Sequence, residues 1–257
     1  MNKIKSGLHK FKSPLLFALA MVPIAAAGGY FTFRYQLDLL DPALLETAIA
    51  QVGSMEMVTL ITVLQTVSYA LFCGFFGYIL AQKTGLMKPL RFSTPVLIRA
   101  VLISIAGGVV FSLDYWTFGA WIPGVREATM AGVNMDALIA SILYGGVIEE
   151  VMLRLFMMSL IAWILWKLFF RRQESAPTRA IVAANVIAAL LFAAGHLPAT
   201  VMTFGSLTVP ILLRCFLFNG GFGLLFGWLY RKDGIQYAMV SHIIFHIVSK
   251  LIWLLFV

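Results

Sequence analysis

Apolar residues run along this chain in long blocks that are separated by short polar segments. Seven such blocks stand out, at about 15–33, 56–82, 96–115, 137–165, 181–204, 209–230 and 235–257. Most match the roughly 20 residues that a helix needs to cross ~30 Å of hydrocarbon. The pattern therefore predicts an all-α fold, a polytopic membrane bundle of about seven transmembrane helices.

Basic and acidic residues alternate between successive connections. Lys and Arg precede the first block and fill every second connection after it, at Lys3, Lys5, Lys10, Lys12, Lys83, Lys88, Arg91, Lys167, Arg171, Arg172, Arg179, Arg231 and Lys232. The other connections are acid-rich, with Asp38, Asp41, Glu46, Asp114, Glu127 and Asp136. Because short cytoplasmic loops carry the excess of Lys and Arg, this alternation predicts a cytoplasmic N-terminus and a C-terminus on the other side.

Composition excludes a soluble protein. The chain is 61% hydrophobic and only 12% charged, whereas ordinary domains carry about a quarter charged residues. Its net charge of +8 lies in the connections, where it sets orientation, so we expect a lipid bilayer and no nucleic acid as partner. The compact chain leads us to expect a multi-pass protein of the bacterial cytoplasmic (inner) membrane.

The chain shows no repeat, no low-complexity segment and no separate soluble domain. We therefore expect a single membrane domain over 1–257, in which 1–135 carry no motif and 136–257 carry the candidate chemistry. The basic start resembles a signal peptide, but its apolar run is long, and we interpret it as a retained first span. Cys73 and Cys215 lie within apolar blocks and are expected to pack rather than to form a disulfide.

Three charged residues interrupt the fourth block. Glu149, Glu150 and Arg154 lie in a run from Ala137 to Phe170 whose only other charge is Lys167. Such groups are tolerated in a membrane when they are paired, neutralised or used. On a helix, Glu150 and Arg154 share a face and can form an ion pair. Glu149 points about 100° away and has no partner in its own helix. Two interpretations are open: a chemical acid beside a paired structural acid, or a buried Glu–Arg clamp beside a second Glu in a polar seam.

Three of the four histidines lie in the C-terminal blocks. His196 belongs to the fifth block, two residues before Pro198, which can kink the helix and redirect the imidazole. His242 and His246 lie four residues apart on the seventh block and share a face. A lone histidine in a membrane helix is usually a hydrogen-bonding core residue, but three of them beside two glutamates indicate a site.

These residues resemble a known set of motifs. Glu149-Glu150-x-x-x-Arg154, Phe192-x-x-x-His196 and His242-x-x-x-His246 are similar, in order and spacing, to the successive motifs of the CPBP intramembrane proteases (CAAX protease and bacteriocin-processing, ABI-type). That family groups eukaryotic CAAX prenyl proteases with bacterial enzymes linked to bacteriocin processing and self-immunity. The resemblance covers about 137–257.

The resemblance implies a role for each residue. Glu149 would be the catalytic acid that activates a water together with His196, while Glu150 and Arg154 would hold the helix in place. His242 would complete the site or stabilise the oxyanion. His246 departs from the family, which most often has Asn here. An Asn amide donates at any pH, whereas a histidine must have the right tautomer or be protonated to support an oxyanion from this position.

Two mechanisms are compatible with these residues. In the first, Glu149 is a general base, His196 aligns the water, and no metal is needed. In the second, His196, His242 and His246 bind Zn²⁺ while Glu149 is the base. The i,i+4 spacing of His242 and His246 suits zinc, but the H-E-x-x-H core of zinc proteases is absent. We favour the metal-free version.

The leading functional hypothesis is an intramembrane endopeptidase that cleaves a membrane-embedded or lipid-modified peptide or protein near the cytoplasmic leaflet. A second hypothesis is a non-catalytic membrane scaffold or bacteriocin-immunity-type protein that keeps the same fold. A third, a proton-coupled transporter with Glu149 and the histidines as a relay, ranks last because no inverted repeat is visible.

Overall fold

The structure, a computed structural model, describes residues 2–37, 39–40 and 42–257, with side chains from residue 11 onward. Asp38 and Asp41, two acids of the predicted acid-rich connection, lie outside the described residues. Seven helical segments are long and apolar enough to cross a membrane, at Phe11–Leu37, Met55–Thr84, Thr94–Ala120, Met135–Phe169, Thr178–Phe204, Val209–Asp233 and Ile235–Phe256. We call them spans 1 to 7. They overlap the seven predicted blocks, and the described residues contain no strand, so the predicted all-α membrane bundle is confirmed.

Twelve α-helices follow one another along the described chain: α1 (Asn2–Leu37), α2 (Pro42–Val52), α3 (Met55–Thr84), α4 (Thr94–Ser112), α5 (Val125–Ala131), α6 (Met135–Ala140), α7 (Ser159–Phe169), α8 (Thr178–Gly195), α9 (Leu197–Phe204), α10 (Val209–Cys215), α11 (Gly221–Asp233) and α12 (Ile235–Phe256). Short 3₁₀ turns at Leu113–Tyr115 and Phe118–Ala120 follow α4. π-Helical turns fill Ser141–Glu149, Val151–Met158 and Phe216–Gly220.

The seven spans give the bundle two faces. The N-terminal face holds the start of span 1 and the connections between spans 2 and 3, 4 and 5, and 6 and 7. The opposite face holds the connections between spans 1 and 2, 3 and 4, and 5 and 6, and the end of α12. The predicted orientation places the N-terminal face in the cytoplasm.

Local sequence signals set where the helices begin and end. Ser54 caps α3, because its side chain accepts a hydrogen bond from the Met57 amide. Gly85 ends the same helix with φ +76°, a left-handed conformation that only glycine adopts without strain.

The fourth span is not the continuous α-helix that the apolar pattern predicts. Its central part is π-helical over Ser141–Glu149 and again over Val151–Met158. π-Helical turns are rare and occur frequently at functional sites. Glu149 and Glu150 lie where the two π-helical segments meet, so the unusual backbone coincides with the charged residues.

The N-terminal face of the bundle is closed by a packed apolar cluster. Leu86, Trp166, Leu229, Tyr230 and Ile235 are all buried there, close to the ends of spans 2, 4, 6 and 7. The hydroxyl groups of Tyr230 and Ser159 form a hydrogen bond of 2.9 Å within this cluster. A smaller buried cluster of Ile122, Val125 and Ile211 lies toward the opposite face, on the same side of Glu149 as two cavities.

Substitution of Gly77 tests how much stability depends on the close approach of α3 to the π-helical part of span 4. A Cβ at Gly77 would lie 2.9 Å from the backbone atoms of Leu155 and Phe156, so Gly77→Ala must push the two helices apart. We expect a loss of about 1–3 kcal/mol in the free energy of unfolding. The measurement is thermal unfolding of the purified protein in detergent.

The matched control is Gly221→Ala, because a Cβ at Gly221 meets no atom within 4 Å. Both substitutions add the same helix propensity, so the difference between the two variants isolates the backbone contact. Equal unfolding temperatures for Gly77→Ala and Gly221→Ala would contradict the prediction.

Candidate active site

A cavity of about 470 Å³ lies inside the bundle and collects the predicted site residues. Glu149 reaches it from span 4, His196 from span 5, and His242 and His246 from span 7. We call it the central cavity. The structure thus brings four side chains from three spans to one wall, as the resemblance implies for a shared site.

His196 lies at a break in span 5, between α8 and α9, with Pro198 in the first turn of α9. Its Nδ1 lies 2.9 Å from the carbonyl oxygen of Phe192. Since a carbonyl oxygen only accepts, Nδ1 carries the hydrogen, and Nε2 of the neutral ring has a free lone pair. The predicted interruption near Pro198 is present, and it orients the imidazole.

Glu149 faces this lone pair. Its Oε1 lies 3.9 Å from Nε2 of His196, a distance too long for a direct hydrogen bond and suited to a water that donates to both atoms. The Glu149 side chain is 17% exposed and the His196 side chain 33% exposed, so both can be reached from the cavity. Glu149 has no ion-pair partner within span 4 among the described residues, in agreement with the sequence-based expectation.

Glu150 is fully buried and contacts two partners. Its Oε1 lies 3.2 Å from Nη1 of Arg154, which confirms the predicted ion pair. The same oxygen lies 2.9 Å from Nδ1 of His242, a contact that the sequence did not predict. Arg154 also donates from Nη2 to the carbonyl oxygen of Gly223 at 3.3 Å, and its guanidinium carbon lies 4.7 Å from the centre of the Phe192 ring. The buried pair therefore connects spans 4, 5, 6 and 7.

His242 and His246 face each other across one turn of α12. Their Nε2 atoms are 3.1 Å apart. Because Nδ1 of His242 donates to the Glu150 carboxylate, Nε2 of a neutral His242 accepts, and the shared hydrogen then comes from Nε2 of His246. The His242 ring also stacks on Phe226, with ring centres 4.4 Å apart. Glu150 thus sets the tautomer of His242, and His242 sets that of His246.

Two glycines give α12 the space to carry these histidines into the site. A Cβ at Gly145 would lie 3.2 Å from Nε2 of His246 and 3.9 Å from Nε2 of His242. A Cβ at Gly146 would overlap the side chain of Ile243. Sequence reasoning missed the function of this pair, although its position just before Glu149 was a signal.

The histidines were predicted to bind zinc in one of the two mechanisms. Among the residues that the structure describes, no group of three or more His, Cys, Asp and Glu side chains is arranged to hold a metal ion. The two Nδ1 atoms of His196 and His242 already have protein partners. The zinc-assisted mechanism remains a prediction.

A second cavity of about 280 Å³ adjoins the central cavity. We call it the vestibule. The two cavities share the side chains of His196, Asn219 and His246. Its outer wall comes from Leu39 and Gly132, which lie in connections of the opposite face. The site therefore extends away from the N-terminal face, whereas the sequence-based hypothesis expected cleavage near the cytoplasmic leaflet.

Arg214 and Lys250 are two cations within spans 6 and 7 to which the sequence patterns assign no partner. Nε of Arg214 lies 2.9 and 3.0 Å from the two carboxylate oxygens of Asp114. Asp114, counted among the loop acids, is instead buried with a side chain only 1% exposed. Lys250 donates from Nζ to the carbonyl oxygen of Gly132. Both cations line the vestibule.

Comparison with known proteins gives one family-model match. Residues 133–248 match the family model described as type II CAAX prenyl endopeptidase Rce1-like. The match spans all the motif residues from Glu149 to His246 and confirms the resemblance to the CPBP and CAAX proteases. Searches among curated proteins and among solved structures found no match.

Proposed function

We propose that the protein, whose residues 133–248 match the Rce1-like family of type II CAAX prenyl endopeptidases, is an intramembrane endopeptidase that uses Glu149 and His196 to activate water. Its substrate is a membrane-embedded or lipidated peptide or protein. The observation that carries this proposal is the 3.9 Å gap between Oε1 of Glu149 and Nε2 of His196 at the wall of a cavity inside the bundle.

The two side chains have complementary tasks. With its Nδ1 hydrogen held by the Phe192 carbonyl, His196 presents only an acceptor to the gap. A water there donates one hydrogen to His196 and the other to Glu149, so its oxygen lone pairs point away from both. Glu149 takes a proton as the water oxygen adds to the peptide carbonyl carbon. The same proton then passes to the leaving amine nitrogen as the C–N bond breaks.

Charge develops on the carbonyl oxygen when water adds to it, and His242 and His246 are the nearby donors. In the resting arrangement one hydrogen lies between their Nε2 atoms, which are 3.1 Å apart. Donation to the oxyanion requires this hydrogen bond to open. Glu150 supports donation to the oxyanion, because its carboxylate stabilises positive charge on His242 through Nδ1. His246 thus performs through an imidazole what a neutral amide would do at the usual Asn position.

The site also limits the form of the substrate. Peptide backbone in a bilayer is hydrogen-bonded within its helix, so a bond can reach Glu149 only after a local segment unwinds. The central cavity is lined by Phe192, Phe222 and Phe226 beside its polar groups. These rings suit apolar substrate side chains or a lipid chain next to the cleaved bond.

His196→Ala provides the test of this function. Wild-type protein in liposomes is expected to cleave a lipidated peptide at an internal bond, which mass spectrometry of the new termini identifies. Loss of the group that aligns the water is expected to lower kcat about 10²–10⁴-fold. Substitution of Thr59 by Ala serves as the control, because Thr59 lines neither cavity and its hydroxyl donates only to the Met55 carbonyl oxygen among the described residues.

Metal content is measured on the same preparation. The proposed mechanism expects full activity in protein that contains less than stoichiometric zinc and that has been treated with a chelator. Stoichiometric zinc whose removal abolishes cleavage would replace the metal-free mechanism by the zinc-assisted one. Absence of any internal cleavage by the wild-type protein across lipidated and unmodified peptides would contradict the endopeptidase function itself.

A further inference from the structure

The vestibule is a polar chamber beside the proposed catalytic residues, and the mechanism above does not use its charges. Hydroxyl groups of Thr129, Thr200 and Thr203 line it together with the amide of Asn219. None of its described lining residues is acidic. Its two cationic side chains are Arg214 and Lys250.

The two cations differ in how their charge is balanced. Arg214 makes a bidentate ion pair with the buried Asp114, so its charge is neutralised. Lys250 has one hydrogen bond among the described residues, and its partner is the neutral carbonyl oxygen of Gly132. Among the described residues, Lys250 is therefore the vestibule cation that has no acidic partner. An anionic group of a bound molecule would form a charge-assisted hydrogen bond with it.

From this arrangement we propose that Lys250 binds a carboxylate of the peptide substrate in the vestibule. The proposal rests on the proposed endopeptidase function. Lys250 lies one turn after His246 on α12, roughly 6 Å further along the helix axis. A peptide whose scissile bond lies at Glu149 and His196 can then place a carboxylate a few residues away in the adjoining chamber. Lys250 is thus a residue that determines specificity.

The chemistry of the chamber favours a carboxylate over other anions. One uncompensated lysine matches the single charge of a carboxylate, whereas a phosphate monoester carries close to two charges at neutral pH. The carboxylate can belong to the end of the peptide chain or to an Asp or Glu side chain. Both sources present the same group to Lys250, and the substrates used in the test distinguish them.

The position of the vestibule also indicates where the peptide enters. Its walls come from the parts of spans 1, 3, 4, 5, 6 and 7 that lie toward the opposite face and from the 1–2 and 3–4 connections. The N-terminal face is closed by the buried cluster around Tyr230 and Leu229. Because most Lys and Arg lie on the N-terminal face, the positive-inside rule makes the vestibule face extracytoplasmic.

Equilibrium binding of paired peptides tests Lys250. We compare a lipidated peptide that ends in a free carboxylate, its C-terminal amide, and the amide with one added Asp. The Glu149→Gln variant is used, so that binding is measured without turnover. We expect the free acid to bind about 10-fold or more tighter than the amide, and Lys250→Met in the same background to remove this preference. Lys250→Arg should retain part of it.

The outcomes separate the possibilities. If the amide with the added Asp binds as tightly as the free acid, a side-chain carboxylate is sufficient for binding to Lys250. If it binds no more tightly than the plain amide, Lys250 binds the carboxylate at the end of the peptide chain. Arg126→Gln removes a cation on the same face that lines neither cavity, and should leave the preference intact. Equal affinities for acid and amide, or binding of neither, would overturn the proposal, whereas the proposed function is judged separately by wild-type cleavage.

Cysteine labelling tests the side of entry. Thr203→Cys, in a chain whose Cys73 and Cys215 are replaced by Ala, should react with a membrane-impermeant maleimide in intact cells. Glu174→Cys, in the connection between spans 4 and 5 on the N-terminal face, should react only after the membrane is opened. The reverse labelling pattern would place the vestibule on the cytoplasmic side and overturn the entry route.

Discussion

Replacement of Glu149 by Gln is expected to abolish peptide cleavage, with a loss in kcat of about 10³-fold or more. Gln has nearly the same shape as Glu but cannot take a proton from water. Its amide also brings a donor to a gap in which His196 Nε2 already acts as an acceptor. The amide can therefore bond to the imidazole directly and displace the water. The measurement is cleavage of a lipidated peptide by protein reconstituted in liposomes.

Two controls belong to this experiment. Glu127→Gln removes an exposed carboxylate outside both cavities and should leave cleavage unchanged. The unfolding temperature of Glu149→Gln should equal that of the wild type, since Glu149 is partly exposed and forms no short hydrogen bond. Wild-type turnover by Glu149→Gln would refute the role of Glu149 as the base. A cellular phenotype that survives without cleavage would favour the scaffold hypothesis.

Replacement of Arg154 by Met should destabilise the folded protein more than any other single change considered. The Arg154 side chain is 3% exposed and its partner Glu150 is fully buried. Removing one member leaves the other charge buried, a loss of about 3–5 kcal/mol in the free energy of unfolding. Activity should fall as well, because Glu150 also orients His242. Chemical or thermal unfolding in detergent provides the measurement.

A double substitution separates charge from packing. Arg154→Met combined with Glu150→Gln removes both charges and retains an oxygen that can accept from Nδ1 of His242, so most of the stability should return. Activity should remain low, because the amide stabilises positive charge on His242 less well. Arg34→Met, in the exposed Arg34–Asp136 pair, should have little effect. If Arg154→Met is as stable as the wild type, the buried pair is not a stabilising contact.

Much of the architecture could be predicted because it depends on interactions that are local in sequence. The seven spans follow from the length of each apolar block, since the bilayer imposes that length on every helix separately. The Glu150–Arg154 pair follows from a spacing of four residues, which brings two side chains together on a helix and survives in the π-helical turns observed. Proline after His196 likewise predicted the break that redirects the imidazole.

The contacts between spans could not be predicted in the same way. His242 and Glu150 are 92 residues apart, and Arg214 and Asp114 are 100 apart. No periodicity within either segment specifies which of several polar groups will meet across the bundle. Arg214 could equally have reached the membrane surface, and the buried Asp114 resembled the acids of the loops around it. Only the packing of spans 3 and 6 makes them partners.

The sequence alone determined that this is a seven-span membrane protein with a carboxylate and histidines available for chemistry, because hydrophobic length and helical spacing act within single segments. The tertiary structure decided how those groups are arranged relative to one another. It places Glu149 opposite the free lone pair of His196 and Glu150 beside His242, and it gives Lys250 no acidic partner among the described residues of the vestibule. Each of these depends on how closely separate helices approach. Glycines such as Gly145 and Gly146 permit that approach, but their presence in the sequence does not show which helix packs against them.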